Sequence, residues 1–180
     1  MTAALLVIDV QHALFDVMPR PGDAAQIMEN INALMNKARA TGIPVFLIQH
    51  ADDKTLALAS PGWALAEALD SGTDDYRIGK RTPDSFLNTD LQARLTSLDV
   101  DRLVICGYAS EFCVDTTVRR AAALGYPVTI AADAHTTHDK AHASARQIRE
   151  HHNATLSNIR SFGPKISAVP VASIDFDRPD

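Results

Sequence analysis

The sequence predicts a three-layer α/β/α sandwich around a six-stranded, mainly parallel sheet, in a single domain spanning residues 1–180. Three observations carry this prediction. Short runs of aliphatic and β-branched residues alternate with segments whose apolar residues recur at helical spacing. Most of the runs are nearly continuous in apolar residues, as parallel strands covered on both faces must be. A chain of 180 residues can also bury a core that needs no disulfide or metal staple.

In order, residues 4–8 read as the first strand. The apolar N-terminus superficially resembles a leader, but it lacks a basic start and is interrupted by Asp9. Ile27, Ile31, Leu34 and Ala38 mark one face of a helix, with Gly42 where its C-terminus would end. Residues 45–49 and 76–79 form the second and third strands. Thr89-Asp90-Leu91-Gln92 has the form of a capping box, followed by Leu91, Leu95 and Leu98 on one face. Residues 103–107 form the fourth strand. Ser110 is the expected N-cap of a helix carrying Val114, Val118 and Ala121 and stopping at Gly125. Residues 128–132 are the fifth strand, a long helix runs over about 140–159, and residues 166–171 are the last strand. Strand and helix in alternation imply right-handed crossovers.

Composition narrows the function. Seventeen basic residues against 22 acidic ones give a net charge of −5, which argues against nucleic acid and anionic membrane as partners. No apolar run approaches the ~18 residues of a membrane span. Two cysteines, Cys106 and Cys113, are too few for a disulfide scaffold, so a cytoplasmic protein is expected. There is no GxGxxG, P-loop or CxxC, and no cofactor is expected.

In a parallel sheet, ligands bind beyond the carboxyl ends of the strands. Asp9 ends strand one, Gln49-His50 strand two, Lys80-Arg81 strand three, and Asp133 strand five. Strand four runs into Gly107-Tyr108-Ala109-Ser110, with Cys113 just beyond. An acid, a lysine and a cysteine thus converge on one edge. Each alone has a structural reading: a loop carboxylate, a solvated lysine, a small buried thiol. Together they describe acyl transfer. Cys113 in a first helical turn would be favoured as thiolate, a lysine would lower its pKa further, and a carboxylate would carry the proton. His135, His138 and His142 have spacings that could surround a metal, but a solvated loop is the favoured reading, and no metal is expected. His151-His152 cannot both face one way on a helix, and Asn153-Ala154-Thr155 merely has the form of a glycosylation acceptor.

The segments LLVIDVQ (5–11), GKRTPDSF (79–86), VICGYASEFCVDTT (104–117) and GYPVTIAADAH (125–135) resemble the isochorismatase-like cysteine hydrolase superfamily, a Rossmann-like fold, over nearly the whole chain. The resemblance is nearest to the amidase branch, which includes nicotinamidases, N-carbamoylsarcosine amidase and streptothricin hydrolase. It implies Asp9 as general base and acid, Lys80 as its charged partner and Cys113 as nucleophile. It also implies a cis peptide between Tyr108 and Ala109, with the Ala109 and Cys113 N–H groups as oxyanion donors, and a homo-oligomer. One departure concerns metal. Nicotinamidases carry an Asp-x-His pattern with a further histidine after the second strand, whereas this chain reads Gln49-His50-Ala51-Asp52-Asp53-Lys54. His50, Trp63, Tyr108 and Phe112 are the candidate substrate-pocket residues.

The leading expectation is therefore a metal-independent cysteine hydrolase of a small amide, lactam or carbamoyl compound. The alternatives are a nicotinamidase with an atypical metal site around His50, and a non-catalytic small-molecule binder. A flavodoxin-like FMN carrier would need a phosphate-binding loop that the sequence lacks.

Overall fold

The computed structural model describes residues 2–176. Six strands, β1 (Thr2–Ile8), β2 (Val45–His50), β3 (Tyr76–Lys80), β4 (Val100–Tyr108), β5 (Val128–Thr136) and β6 (Ile166–Val169), form one sheet in the order β3-β2-β1-β4-β5-β6. Every neighbouring pair is parallel. A short helix α1 (His12–Phe15) and the longer α2 (Ala24–Ala40), α3 (Leu91–Ser97), α4 (Asp115–Ala123) and α5 (Ala145–Ser157) complete the fold.

The alternation of side chains along β1 shows how the layers are sorted. Ala3, Leu5 and Val7 pack with Ile27, Ile31, Leu34 and Met35 of α2. Ala4, Leu6 and Ile8 point the other way, into a cluster with Leu91 and Leu95 of α3, Val118 of α4 and Leu156 of α5. A strand that is apolar at every position is the residue pattern such double coverage requires.

The chain builds outward from β1 through β2 to β3, then returns to the other side of β1 as β4. That reversal makes the carboxyl ends of β1 and β4 the switch point where a crevice opens. Gly107 makes the approach there possible. It pairs with Ile8 at φ +115°, and a Cβ at this position would lie 2.1 Å from the Ile8 carbonyl oxygen. Only glycine fits a positive φ against that backbone.

Several boundaries differ from the sequence reading for local reasons. β5 runs on to Thr136, so Asp133 and His135 lie within the strand; Asp133 Oδ1 there accepts from Val171 N at 2.8 Å. β6 ends at Val169, two residues short of the expected 171, where Pro170 follows without an N–H to donate. The capping box expected at Thr89 does not form, because Thr89 Oγ1 donates to Ser85 O at 2.7 Å. The true capping box starts α5, where Ser144 and Gln147 exchange side-chain and backbone bonds, so that helix begins at Ala145 rather than near Lys140.

Gly107→Ala should destabilise the protein by at least about 3 kcal/mol in urea unfolding, combining the backbone clash with the φ penalty. Gly42→Ala, at φ +73° with open space around it, should cost only about 1 kcal/mol.

Candidate active site

Asp9 is the first residue beyond β1. It sits in the left-handed region at φ 52°, a conformation aspartate tolerates better than most residues, and its N–H donates to Ile48 O at 2.9 Å. The backbone therefore turns away from the sheet while remaining tied to β2, and the carboxylate is left buried over the strand end. Lys80 closes β3, in register with His50, and its side chain is fully buried. Its ammonium reaches across the end of β2 to lie 2.7 Å from Asp9 Oδ2 and 3.2 Å from Cys113 Sγ. Thr82 O at 3.2 Å and His50 Nδ1 at 3.4 Å complete its surroundings. Asp9 Oδ1 is buried without a hydrogen-bond partner.

Cys113 rides on a single wide turn, Ser110–Val114, that leads into α4. The Val114 and Asp115 N–H groups reach five residues back, to Ala109 O and Ser110 O. The Tyr108–Ala109 peptide entering the turn is cis. Ser110 is not the expected N-cap. Ala109 holds that position, and the Ser110 hydroxyl lies 2.8 Å from His135 Nδ1.

Burial works against the depressed thiol pKa expected of a first helical turn. Burial pushes the Cys113 thiol up to about 12, the Asp9 charge adds to the rise, and Lys80 opposes both. At neutral pH the resting sulfur carries its proton. Cys106, fully buried in mid-strand, is pushed higher by burial alone.

His50 is half-buried, and its imidazole is held below the usual pKa, first by burial and then by the Lys80 charge. It therefore faces the ammonium as a neutral ring. Asp52, two residues on, is spent within its own loop, where its Oδ1 accepts from Lys54 N at 2.8 Å and Leu56 N at 2.7 Å. Among the described residues, no group of three or more His, Cys, Asp or Glu side chains is placed to hold a metal ion.

Trp63 ends a short turn, Pro61–Trp63, and its carbonyl accepts from Gln11 Nε2 and Gln49 Nε2, both at 2.9 Å. Gln11 also pairs with the backbone of His50 through both ends of its amide. These two buried glutamines bolt the loop bearing Trp63 to the strand ends, and no spacing rule in the sequence singles them out. Polar residues at apolar strand ends are the only signal they leave.

The Tyr108 hydroxyl lies 2.7 Å from His138 Nδ1, and His138 Nε2 lies 2.9 Å from Pro19 O. Burial raises the Tyr108 phenol to about 12, so it serves as a neutral wall. Phe112 points outward, more than half exposed, with Lys140 Nζ 5.7 Å from its ring centre. It lines a cavity of about 620 Å³ with Ile148, His142, His151 and His152, apart from Asp9, Lys80 and Cys113. Both adjacent histidines of α5 border this one cavity, with ring centres 5.4 Å apart. His135 and His138 are hydrogen-bonded rather than solvated, and His135 is completely buried.

A doubly covered parallel sheet with a carboxylate, an ammonium and a thiol gathered at its switch point defines an α/β protein with a crevice of the kind in which open parallel sheets hold their ligands. Residues 3–168 match the isochorismatase domain, and the chain belongs to the isochorismatase family. It is 36% identical over 138 residues to streptothricin hydrolase of Streptomyces noursei, covering 76% of this chain and 50% of that protein, so the match spans about half of that relative's length. It is 37% identical over 142 residues to isochorismatase family protein YddQ of Bacillus subtilis, covering 74% of this chain and 77% of that one. A solved isochorismatase family protein superposes with a TM-score of 0.85 at 31% identity, covering 93% of this chain and 97% of that chain.

The electrostatics fix the direction of two substitutions. Asp9→Asn should lower the pH midpoint of Cys113 alkylation by iodoacetamide, because Lys80 is left unopposed. Lys80→Met should raise it. The wild-type thiol should still be mostly protonated at about pH 9, and Cys106 should stay unlabelled throughout. Peptide mass spectrometry reads each site separately, and a wild-type midpoint below about 8.5 would restore the thiolate reading.

Proposed function

We propose that this protein is a metal-independent cysteine hydrolase that cleaves the C–N bond of a small amide, lactam or carbamoyl compound through a thioester. The observation that carries this reading is the Lys80 ammonium set between Asp9 Oδ2 at 2.7 Å and Cys113 Sγ at 3.2 Å. A protonated thiol needs a base, and the carboxylate is the base at hand. Asp9 takes the thiol proton as the sulfur attacks the carbonyl carbon, while Lys80 stabilises the negative charge passing through sulfur. The Ala109 and Cys113 N–H groups hold the oxyanion of the tetrahedral intermediate. Collapse breaks the C–N bond, and the proton on Asp9 goes to the departing ammonia or amine. Asp9 then draws a proton from water, whose oxygen attacks the thioester. The acid leaves and the thiol is regenerated, so the balance is one water consumed per amide cleaved.

The metal-independent form is supported by the state of the loop after β2. Asp52 is committed to its own backbone, Asp53 Oδ1 pairs with Arg81 at 3.1 Å, and His50 faces an ammonium rather than open space. The name of the streptothricin hydrolase relative supports the amidase branch. Exposed Met18, Leu58 and Phe112 support assembly into a homo-oligomer. Two free cysteines support a cytoplasmic setting, and no helix among the described residues is long and apolar enough to cross a membrane.

Release of ammonia or amine from a panel of small amides, lactams and carbamoyl compounds tests the reading. The expected result is turnover that survives chelator and falls at least about 10³-fold in Cys113→Ala. Rapid acid quench followed by intact mass should show the acyl group on Cys113. Full activity in Cys113→Ala, or its abolition by chelator, would sink the proposal.

A further inference from the structure

We propose that His135 is a positioning residue for the nucleophile turn, holding Ser110 through a directed hydrogen-bond chain anchored on the backbone of β5. The inference rests on the hydrolase reading above and deepens it. The chain has a fixed polarity. Asn153 Nδ2 donates to Ala132 O at 2.9 Å, which leaves Asn153 Oδ1 as an acceptor 2.9 Å from His135 Nε2. His135 must therefore carry its proton on Nε2. The ring is completely buried, and burial pushes it down to about 4, so at neutral pH Nδ1 is a bare acceptor. Among the described residues the donor that meets it is the Ser110 hydroxyl, 2.8 Å away. Ser110 opens the five-residue turn that ends just past Cys113, and its carbonyl accepts the Asp115 N–H that closes it. Three elements, β5, α5 and the turn, are thus tied by one imidazole whose two nitrogens are both used.

The placement of His135 is itself unusual. The β4–β5 register shifts between Ile105 and Gly107, so that Ile105 pairs with Ile130 but Gly107 pairs with His135. The slack in β5 brings the ring level with the close approach of β4 to β1. The turn is thereby fixed at its entry by Gly107 and at Ser110 by His135. A displacement of about 1 Å at a reacting centre costs on the order of 10²-fold in rate. The charged and titratable groups around the ring are Arg149 and His152 from α5 and Asp133 from β5.

Ser110→Ala and Asn153→Asp test the proposal, with Thr89→Ala as a control that loses a hydroxyl bond away from the site. Ser110→Ala should fold, lower kcat at least about tenfold with KM within about twofold, and slow alkylation of Cys113 in substrate-free protein. Thr89→Ala should change stability alone. Asn153→Asp places a carboxylate against Nε2–H and raises the His135 pKa. Its imidazolium then donates from Nδ1 to the Ser110 oxygen, so the bond reverses and the Ser110 proton must turn away to another acceptor, which reorients the residue that opens the turn. Activity and Cys113 alkylation in this variant should fall as pH drops through the new ionisation and recover above it. The wild type should show no such limb, since its ring is neutral above about 4. Wild-type kcat, alkylation and pH profile in both variants, with only a lower melting temperature, would overturn the positioning role alone. A wild-type Cys113 as inert as Cys106 would overturn the hydrolase reading and this proposal with it.

Discussion

The buried ion pair between Asp9 and Lys80 is the constraint around which the rest of the site is arranged. Removing two charges from water costs several kcal/mol each, and well-packed apolar residues in their place would often be as stable or more so. The pair is also built the hard way, since the two residues come from strands separated by β2 and the lysine must cross the end of that strand. Its four neighbouring acceptors, Asp9 Oδ2, Thr82 O, His50 Nδ1 and Cys113 Sγ, exceed the three protons of an ammonium. One contact is always under-satisfied. The sulfur is the weakest acceptor of the set and would gain most on becoming a thiolate, so the arrangement suits the charge that the proposed mechanism forms on sulfur.

This reconciles a thiol with a raised pKa with the nucleophile role proposed for it. A permanent thiolate next to the Asp9 carboxylate would place two negative charges in one buried pocket. With the proton held on sulfur, the resting site carries one negative and one positive charge. In the proposed mechanism, deprotonation would move a proton from Cys113 to Asp9 without changing the net charge of the buried cluster. The low dielectric that makes an isolated thiolate costly thus leaves the transfer itself balanced. The second carboxylate oxygen of Asp9, Oδ1, is buried with no hydrogen-bond partner among the described residues, an acceptor with capacity to spare.

Much of the fold was legible because the signals were local. Continuous apolar runs such as Leu5–Ile8 and Val45–Ile48 could be parallel strands only if helices covered both faces, and the strand-end rule then selected Asp9, Lys80 and Cys113. What escaped the sequence was long-range. Gln11 acts through His50 and Trp63, 39 and 52 residues away, and His135 through Ser110, 25 residues away. A glutamine that clamps a distant carbonyl has the same one-letter code as one on a surface helix. The misplaced capping box has a related cause. Thr89 and Ser144 offer equivalent local patterns, and the choice between them fell to Ser85 O, which claimed the Thr89 hydroxyl.

The turn bearing Cys113, finally, takes its geometry from the strands and only secondarily from the helix that follows it. An ordinary helix start would present the thiol to the helix dipole, and its position would depend on a single cap. Here the five-residue turn has no side-chain cap of its own. Its entry is fixed by a glycine pressed against Ile8, one residue before Asp9, so Asp9 and the turn share a single rigid contact between β1 and β4. Movement of β4 relative to β1 would therefore shift the entry to the Cys113 turn and the backbone beside Asp9 together. Movement of α4 alone is resisted by the Ser110–His135–Asn153 chain, which belongs to β5 and α5. Distance between sulfur and carboxylate is set by the most buried part of the sheet, where close packing allows the least play.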